Sequence, residues 1–237
     1  MARAADRMAA AMFLGLICAP AAAQSYQCRV PGNLLVPEQR QDGPTRQVAV
    51  TGYTLALSWS PEFCRTRQSS RRDATQCSGR SGRFGLVVHG LWPDGRSTWP
   101  QYCGTARTVT MPEAKRNLCM MPSPRLMARQ WDKHGSCMTR RPETYFKVTR
   151  ILWNSLRLPD YDRLSRQDGL TAGDIRRAFA TANGKRWRPD MVGVKLNRRG
   201  WLQELRLCYG KDFMPTRCKP RQLGARDSVR AKIWRGL

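Results

Sequence analysis

The pattern of apolar and polar positions predicts four β-strands. From Val48 to Ser60, large apolar residues alternate with smaller ones, as in a strand with one buried face. The short apolar run from Phe84 to Val88 predicts a second, buried strand with His89 at its carboxyl end. The segments Met191 to Leu196 and Trp201 to Tyr209 flank a turn that contains glycine, and this arrangement predicts a β-hairpin.

Three other segments repeat apolar residues at helical spacing. The first runs from Ser123 to His134, begins with a good N-cap residue and stops before Gly135. The second runs from Pro142 to Leu156, and the third, from Thr171 to Asn183, opens with a capping box that uses Asp174. Helices and strands alternate without a regular βαβ rhythm. This order predicts an α+β fold, in which helices flank a central, mainly antiparallel β-sheet in a single domain.

The two ends of the chain differ in character from its middle. Residues 1–23 resemble a signal peptide, with a basic start, an apolar stretch too short to span a bilayer, and small residues before the expected cleavage point. Residues 24–46 are polar and contain three prolines, which predicts an extended amino-terminal arm. Residues 47–218 form the expected folded domain, and residues 219–237 form a basic carboxyl-terminal tail. Because residues 1–23 resemble a signal peptide, we expect an exported protein, periplasmic or secreted. No segment of the mature chain is apolar enough for a transmembrane helix.

Eight cysteines follow the predicted signal segment. An even number in an exported chain indicates disulfide bonds, here up to four, although the sequence alone leaves their pairing open. No two cysteines have CxxC spacing, and neither histidine lies at a ligand spacing from a cysteine pair. We therefore expect no metal and no other cofactor. The cysteines are Cys28, Cys64, Cys77, Cys103, Cys119, Cys137, Cys208 and Cys218.

The chain is strongly basic. It contains 42 Lys and Arg residues against 17 Asp and Glu residues, a formal net charge of +25. Such an excess favours a polyanionic partner, which could be nucleic acid, anionic lipid or acidic polysaccharide. Solubility, or adaptation to an acidic environment, is the alternative explanation of the charge.

The chain has only two histidines, and each lies in a segment that also contains tryptophan and glycine. His89 begins the sequence His-Gly-Leu-Trp-Pro-Asp, and His134 lies in Gln-Trp-Asp-Lys-His-Gly-Ser-Cys. On the predicted helix, Gln130 and His134 are four residues apart and share a face, which Lys133 flanks. An imidazole, an ammonium group and an amide on one face could hold a phosphate.

Two histidines and a lysine suit the cleavage of RNA. One imidazole can take the proton of a ribose 2′-hydroxyl as it attacks the adjacent phosphorus, and the second can protonate the departing 5′-oxygen. A cation stabilises the extra negative charge, and no metal is required. Trp92 and Trp131 could offer flat surfaces to bases. Taken singly, each of these residues is more often structural.

At these two segments the chain resembles the ribonuclease T2 family of secreted, disulfide-linked endoribonucleases. The family's His-Gly-Leu-Trp-Pro motif is matched from His89 to Pro93. Its second motif, Glu-Trp-x-Lys-His-Gly-Thr/Ser-Cys, is matched at Trp131 and from Lys133 to Cys137. The likeness covers roughly Tyr53 to Cys218, and its order of motifs is highly specific. Supporting matches are Ser58 to Pro61, Cys64, Cys208 and Cys218.

The resemblance implies cleavage of single-stranded RNA through a 2′,3′-cyclic phosphate by a metal-independent α+β enzyme. It implies that His134 is the general base, that His89 is the general acid, that Lys133 stabilises the phosphorane and that Trp92 helps to hold a base. We expect a monomer with no obligatory protein partner. The disulfide pairs that the resemblance implies are Cys103–Cys137, Cys64–Cys77 and Cys208–Cys218, which leaves Cys28 and Cys119.

One residue departs from the family pattern. Gln130 stands where the second motif has an acidic residue, and an amide cannot exchange a proton. It also lacks the negative charge that would raise the pKa of His134. Two functions from different classes follow: an exported ribonuclease, or a weakened or inactive relative that acts as a cationic RNA- or anion-binding protein.

Overall fold

The computed structural model describes residues 25–26, 28–104 and 107–236. The predicted signal segment, residues 1–23, lies outside the described residues. The strands are β1 (Ser25–Tyr26), β2 (Gly52–Trp59), β3 (Arg83–Phe84), β4 (Leu86–Asp94), β5 (Val192–Leu196) and β6 (Leu202–Tyr209). The helices are α1 (Ser60–Cys64), α2 (Ala74–Cys77), α3 (Met111–Asn117), α4 (Pro124–Lys133), α5 (Pro142–Asn154), α6 (Tyr161–Ser165), α7 (Ala172–Asn183) and α8 (Pro220–Leu223).

The central sheet has four antiparallel strands in the order β4-β2-β6-β5. Strands β5 and β6 form the predicted hairpin. Strand β2 begins at Gly52 rather than at Val48. Strands β1 and β3 form a separate two-stranded sheet, which the sequence pattern did not predict. The α+β class with a mainly antiparallel sheet is therefore confirmed.

Strand β4 corrects the predicted position of His89. Ala56 pairs with Gly90 and Leu57 pairs with Val88, so His89 is the extra residue of a β-bulge in the middle of the strand. The prediction that His89 lies at the carboxyl end of its strand is wrong. The strand continues through Pro93 because β4 lies at the sheet edge, where a residue without an N–H group is tolerated. A bulge re-aims side chains, which explains how a histidine projects from a strand interior.

The three predicted helices are confirmed, and the N-caps predicted for α4 and α7 are present. The Ser123 hydroxyl accepts a hydrogen bond from the backbone N–H of Leu126 and begins α4. Thr171 and Asp174 form a reciprocal capping box at the start of α7. His134 is the C-cap residue of α4, so the second histidine lies where the helix ends. The other helices have at most seven residues and lacked a clear apolar period.

One core fills the space between the sheet and the helices. Inward-facing residues of β2, β4 and β6 pack against the apolar faces of α4, α5 and α7, and all of these side chains are almost completely buried. The core therefore holds the strand that carries His89 against the helix that carries His134. Fully buried side chains of this core include Leu55, Leu57, Leu91, Leu207, Trp131, Tyr145, Phe146, Ile175 and Phe179.

Four disulfide bonds link the chain, and they are the pairs expected above: Cys28–Cys119, Cys64–Cys77, Cys103–Cys137 and Cys208–Cys218. The tail packs on the domain, since Ala231 and Ile233 are buried and the Trp59 indole donates a hydrogen bond to the Trp234 carbonyl. Within the described ranges, no helix is long and apolar enough to cross a membrane.

Candidate active site

His89 is hydrogen-bonded to a buried carboxylate. Its Nδ1 atom lies 2.8 Å from Oε2 of Glu204, on β6, and the other oxygen of Glu204 accepts a hydrogen bond of 2.9 Å from Nε of Arg206. Glu204 is only 4% exposed. Burial favours its neutral form, but the hydrogen bonds and charges of His89 and Arg206 outweigh burial and lower the pKa of Glu204. An ionised carboxylate therefore contacts the Nδ1 side of the His89 imidazole.

His134 lies in a buried and electropositive environment. Its side chain is buried, and its Nδ1 atom has no hydrogen-bond partner among the described residues. Burial lowers the pKa of His134 from 6.5 to about 3, and the positive charges of Lys133, His89 and Arg129 act in the same direction. Asp42 opposes this decrease. His134 is consequently neutral at physiological pH.

Trp92 packs near both histidines. Its ring centroid is 5.2 Å from that of His89, edge to face, and 5.7 Å from that of His134. The indole Nε1–H donates a hydrogen bond of 2.7 Å to Oε1 of Gln130, which fixes the ring. Only glycine fits at position 90, since a Cβ atom there would lie 2.1 Å from Oε1 of Gln130. The tryptophan thus joins both histidines into one site.

Lys133 contacts a carboxylate from the amino-terminal arm. Its Nζ atom lies 3.0 Å from Oδ1 of Asp42, and Asp42 also forms an ion pair with Arg129 and accepts a hydrogen bond from the Tyr102 hydroxyl. The hydrogen bond from Tyr102, followed by that from Lys133, lowers the pKa of Asp42 to about 2. This carboxylate is therefore ionised beside the lysine.

Two of the predicted site residues have positions that the sequence did not indicate. Trp131 is completely buried, and its indole donates a hydrogen bond to the Arg107 carbonyl. The expectation that Trp131 offers a surface to a base is therefore wrong, because its side of α4 packs into the core against Tyr145. Gln130 is also buried, and its oxygen is taken by Trp92. His89 and His134 both lie near the Trp92 ring, and Lys133 precedes His134 at the end of α4.

A cavity of about 610 Å³ opens beside His89. Glu204 is one of the residues that line it. Four basic side chains line its walls: Arg65, Arg67, Lys195 and Arg199. The cavity therefore joins the candidate acid to a positively charged surface.

Sequence reasoning overlooked three residues of the site. Glu204 carried a usable signal, because a carboxylate within an apolar strand must find a partner if it is buried. Arg206, two residues further on, shared that signal. Asp42 carried none, since it lies in a polar arm and meets α4 only in the folded chain.

The fold and the site together define a class of protein: small, disulfide-linked α+β proteins with a basic cleft. The defining features are the antiparallel sheet, the four disulfide bonds, and the two histidines with a lysine. The family model of the ribonuclease T2 family matches residues 50–218. The chain belongs to this family.

Relatives agree with this assignment, and a solved structure shares the fold. A probable ribonuclease of Haemophilus influenzae is 31% identical over 189 residues, which cover 75% of this chain and 64% of that protein. A ribonuclease of Aeromonas hydrophila is 38% identical over 85 residues, 36% of each chain. This chain thus spans less than two thirds of either relative. The structure of trichomaglin, described as an S-like ribonuclease, has a TM-score of 0.61 at 22% identity and covers 78% of this chain and 98% of its own; that likeness shows the fold.

Proposed function

We propose that this protein is an endoribonuclease that cleaves single-stranded RNA by transesterification through a 2′,3′-cyclic phosphate. The observation that carries the proposal is that the only two histidines of the chain pack near the same tryptophan ring, whose centroid lies 5.2 Å from that of His89 and 5.7 Å from that of His134. The reaction needs one base and one acid, and histidine is the side chain best suited to both roles near neutral pH.

His134 acts as the general base in this proposal. Its lowered pKa keeps the imidazole neutral, so it can accept a proton. Because Nδ1 is buried without a partner, Nε2 is the nitrogen that takes the proton of the 2′-hydroxyl. The 2′-oxygen then forms a bond to phosphorus.

His89 acts as the general acid. The carboxylate of Glu204 accepts a hydrogen bond from Nδ1–H, which leaves Nε2–H to donate its proton to the 5′-oxygen as the bond from phosphorus to that oxygen breaks. The products are a 2′,3′-cyclic phosphate and a free 5′-hydroxyl. Two histidines thus move both protons, and the reaction uses no metal.

Lys133 and Trp92 complete the site. The ammonium group of Lys133 stabilises the additional negative charge on the phosphorane. Trp92 contacts a base, in a position fixed by Gln130. The basic walls of the cavity beside His89 suit the phosphates of a single strand.

The same proposal includes the setting in which the protein works. Four disulfide bonds are typical of an oxidising environment, so we infer that the protein is exported to the periplasm or the exterior. We also propose that it acts as a monomer without an obligatory protein partner.

A second function is a weakened or inactive relative that binds RNA or another polyanion. Two observations favour it. Gln130 stands where the family motif has an acidic residue, and the Asp42 carboxylate already binds the ammonium group of Lys133. The net charge of +25 would support such binding. In that case the protein would retain intact RNA on a filter. Its affinity for the RNA would fall steeply as the salt concentration increases.

Product analysis distinguishes the two functions. Polyuridylate is incubated with the wild-type protein in EDTA, alongside H89A and H134A, and the ends of the products are identified. We expect 2′,3′-cyclic phosphate ends from the wild-type protein, and about 10²–10⁴-fold less product from each variant. Intact RNA with the folded wild-type protein, or cleavage only with added divalent metal, would reject the proposed enzyme.

A further inference from the structure

The fold brings a carboxylate of the amino-terminal arm to the cations of the site. Asp42 and Arg129 are separated by 87 residues, yet they form an ion pair. The same carboxylate contacts Lys133, the residue that precedes the candidate base.

Asp42 is held from two directions by Tyr102. The Tyr102 hydroxyl donates a hydrogen bond to the Asp42 carboxylate, and the backbone N–H of Asp42 donates one of 3.2 Å to the same hydroxyl. The backbone N–H of Tyr102 donates in turn to the carbonyl of Lys133, over 2.9 Å. Tyr102 has a φ of 53°, a left-handed conformation that non-glycine residues adopt only where their surroundings impose it. Asp42 is thus fixed to the end of α4.

Gln130 cannot perform the electrostatic role of an acid at this site. Its amide carries no charge, and its oxygen accepts the hydrogen bond from the Trp92 indole. The charged groups that act on His134 are Lys133 and Arg129 from α4, His89 from β4, and Asp42 from the arm. Asp42 is the only one of the four that favours the imidazolium.

We propose that Asp42 is a positioning residue that supplies, from the amino-terminal arm, the negative charge that Gln130 lacks. The carboxylate orients the Lys133 ammonium group and offsets the positive field of Lys133 and Arg129 around His134. His134 thereby becomes a stronger base for the 2′-hydroxyl. This inference rests on the proposed ribonuclease function.

Asp42 could instead compete with the RNA phosphate for Lys133 and Arg129. The two roles predict opposite effects of removing its charge. A competitor lowers RNA affinity, so its removal decreases KM and leaves kcat equal or higher. A positioning residue supports the chemical step, so its removal decreases kcat.

The test compares variants in steady-state cleavage of a uridylyl dinucleotide between pH 3 and pH 8. We expect D42N to decrease kcat by about tenfold or more, with an unchanged or lower KM, because a weaker base contributes less to the chemical step. The acidic limb of its pH–kcat profile should move to lower pH. D42E should retain most of the wild-type kcat. E38Q removes a charge from an exposed residue of the same arm and should leave kcat unchanged.

Rescue at position 130 makes the test specific. In the double variant D42N/Q130E, a carboxylate returns one helical turn before His134, and we expect kcat to recover by several-fold over D42N. Y102F, which removes the phenol that holds Asp42, should lower kcat in the same direction by a smaller factor. It provides the comparison if D42N does not fold.

An equal or higher kcat in folded D42N, or no decrease of kcat in Y102F if D42N does not fold, would overturn the inference. So would a D42N/Q130E variant no faster than D42N. These outcomes can be distinguished from a failure of the proposed ribonuclease function. If the wild-type protein cleaves the dinucleotide and H134A does not, the function stands even when Asp42 proves dispensable; an inactive wild-type protein would overturn both.

Discussion

The Nδ1 atom of His89 lies 2.8 Å from a carboxylate oxygen of Glu204, which is 115 residues further along the chain. Their strands, β4 and β6, are not neighbours, because β2 lies between them. Arg206 holds the other oxygen of the same carboxylate. A buried partner of this kind fixes both the tautomer and the orientation of an imidazole.

Glu204→Gln should therefore slow the reaction without unfolding the protein. An amide in this place can donate to Nδ1 and stabilise the wrong tautomer, so we expect kcat to fall by at least about tenfold, within the roughly 10²–10⁴-fold that acid catalysis contributes. Steady-state cleavage of a dinucleotide measures the effect. Because Glu204 acts through His89, H89A/E204Q should be no slower than H89A. A further loss in the double variant would show that Glu204 acts elsewhere.

Gly90→Ala should disturb both histidines through Trp92. The added Cβ would lie 2.1 Å from Oε1 of Gln130 and 2.6 Å from Nε1 of Trp92, so their hydrogen bond must change. We expect a decrease in stability of about 1–3 kcal/mol, as for other overpacked sites, and at least about tenfold lower activity. Gly32→Ala is the matched control, because its Cβ meets no atom within 4 Å. Equal activity of the two variants would be inconsistent with a tightly fixed Trp92.

His134 should make the folded protein sensitive to acid. Its pKa is lowered from 6.5 to about 3 in the folded state, so between these values the unfolded chain binds a proton that the folded chain excludes. The contribution of His134 to the free energy of unfolding is then fully present above pH 6.5. It decreases as the pH falls towards 3, by up to about 1.4 kcal/mol per pH unit. Urea unfolding at pH 7 and pH 5 measures the difference. His134→Gln should lose less stability between these pH values than the wild-type protein, and an equal loss would contradict a buried, neutral His134.

The sequence predicted most of the fold because its local signals were strong. The helices that begin after Ser123 and Thr171 have N-cap residues and long apolar periods, and both formed as expected. The strand that carries His89 was misjudged, because Gly90 and Pro93 usually interrupt a strand. The bulge and the edge position that accommodate them depend on pairing with β2, which no local pattern encodes.

The candidate site was predictable to a similar degree. Both histidines and Lys133 belong to recognisable sequence motifs, so the sequence alone identifies them as candidate site residues. Trp131 was misassigned because an aromatic side chain on a helix can face either the core or a ligand, and only packing decides between them. Asp42 and Glu204 could not be linked to the histidines, since their contacts join segments that are distant in sequence.

The central claim is that His134 removes a proton and His89 supplies one, and changing the leaving group tests this division directly. In a uridylyl dinucleotide whose bridging 5′-oxygen is replaced by sulfur, the leaving group departs as a thiolate and needs no acid, whereas the 2′-hydroxyl still needs a base. The rates of the wild-type protein, H89A and H134A are measured on the oxygen and sulfur substrates. We predict that H89A loses about 10²–10⁴-fold on the oxygen substrate but cleaves the sulfur substrate within about tenfold of the wild-type rate, and that H134A is slow on both. An equal loss for H89A on the two substrates, or rescue of H134A instead, would contradict the assignment.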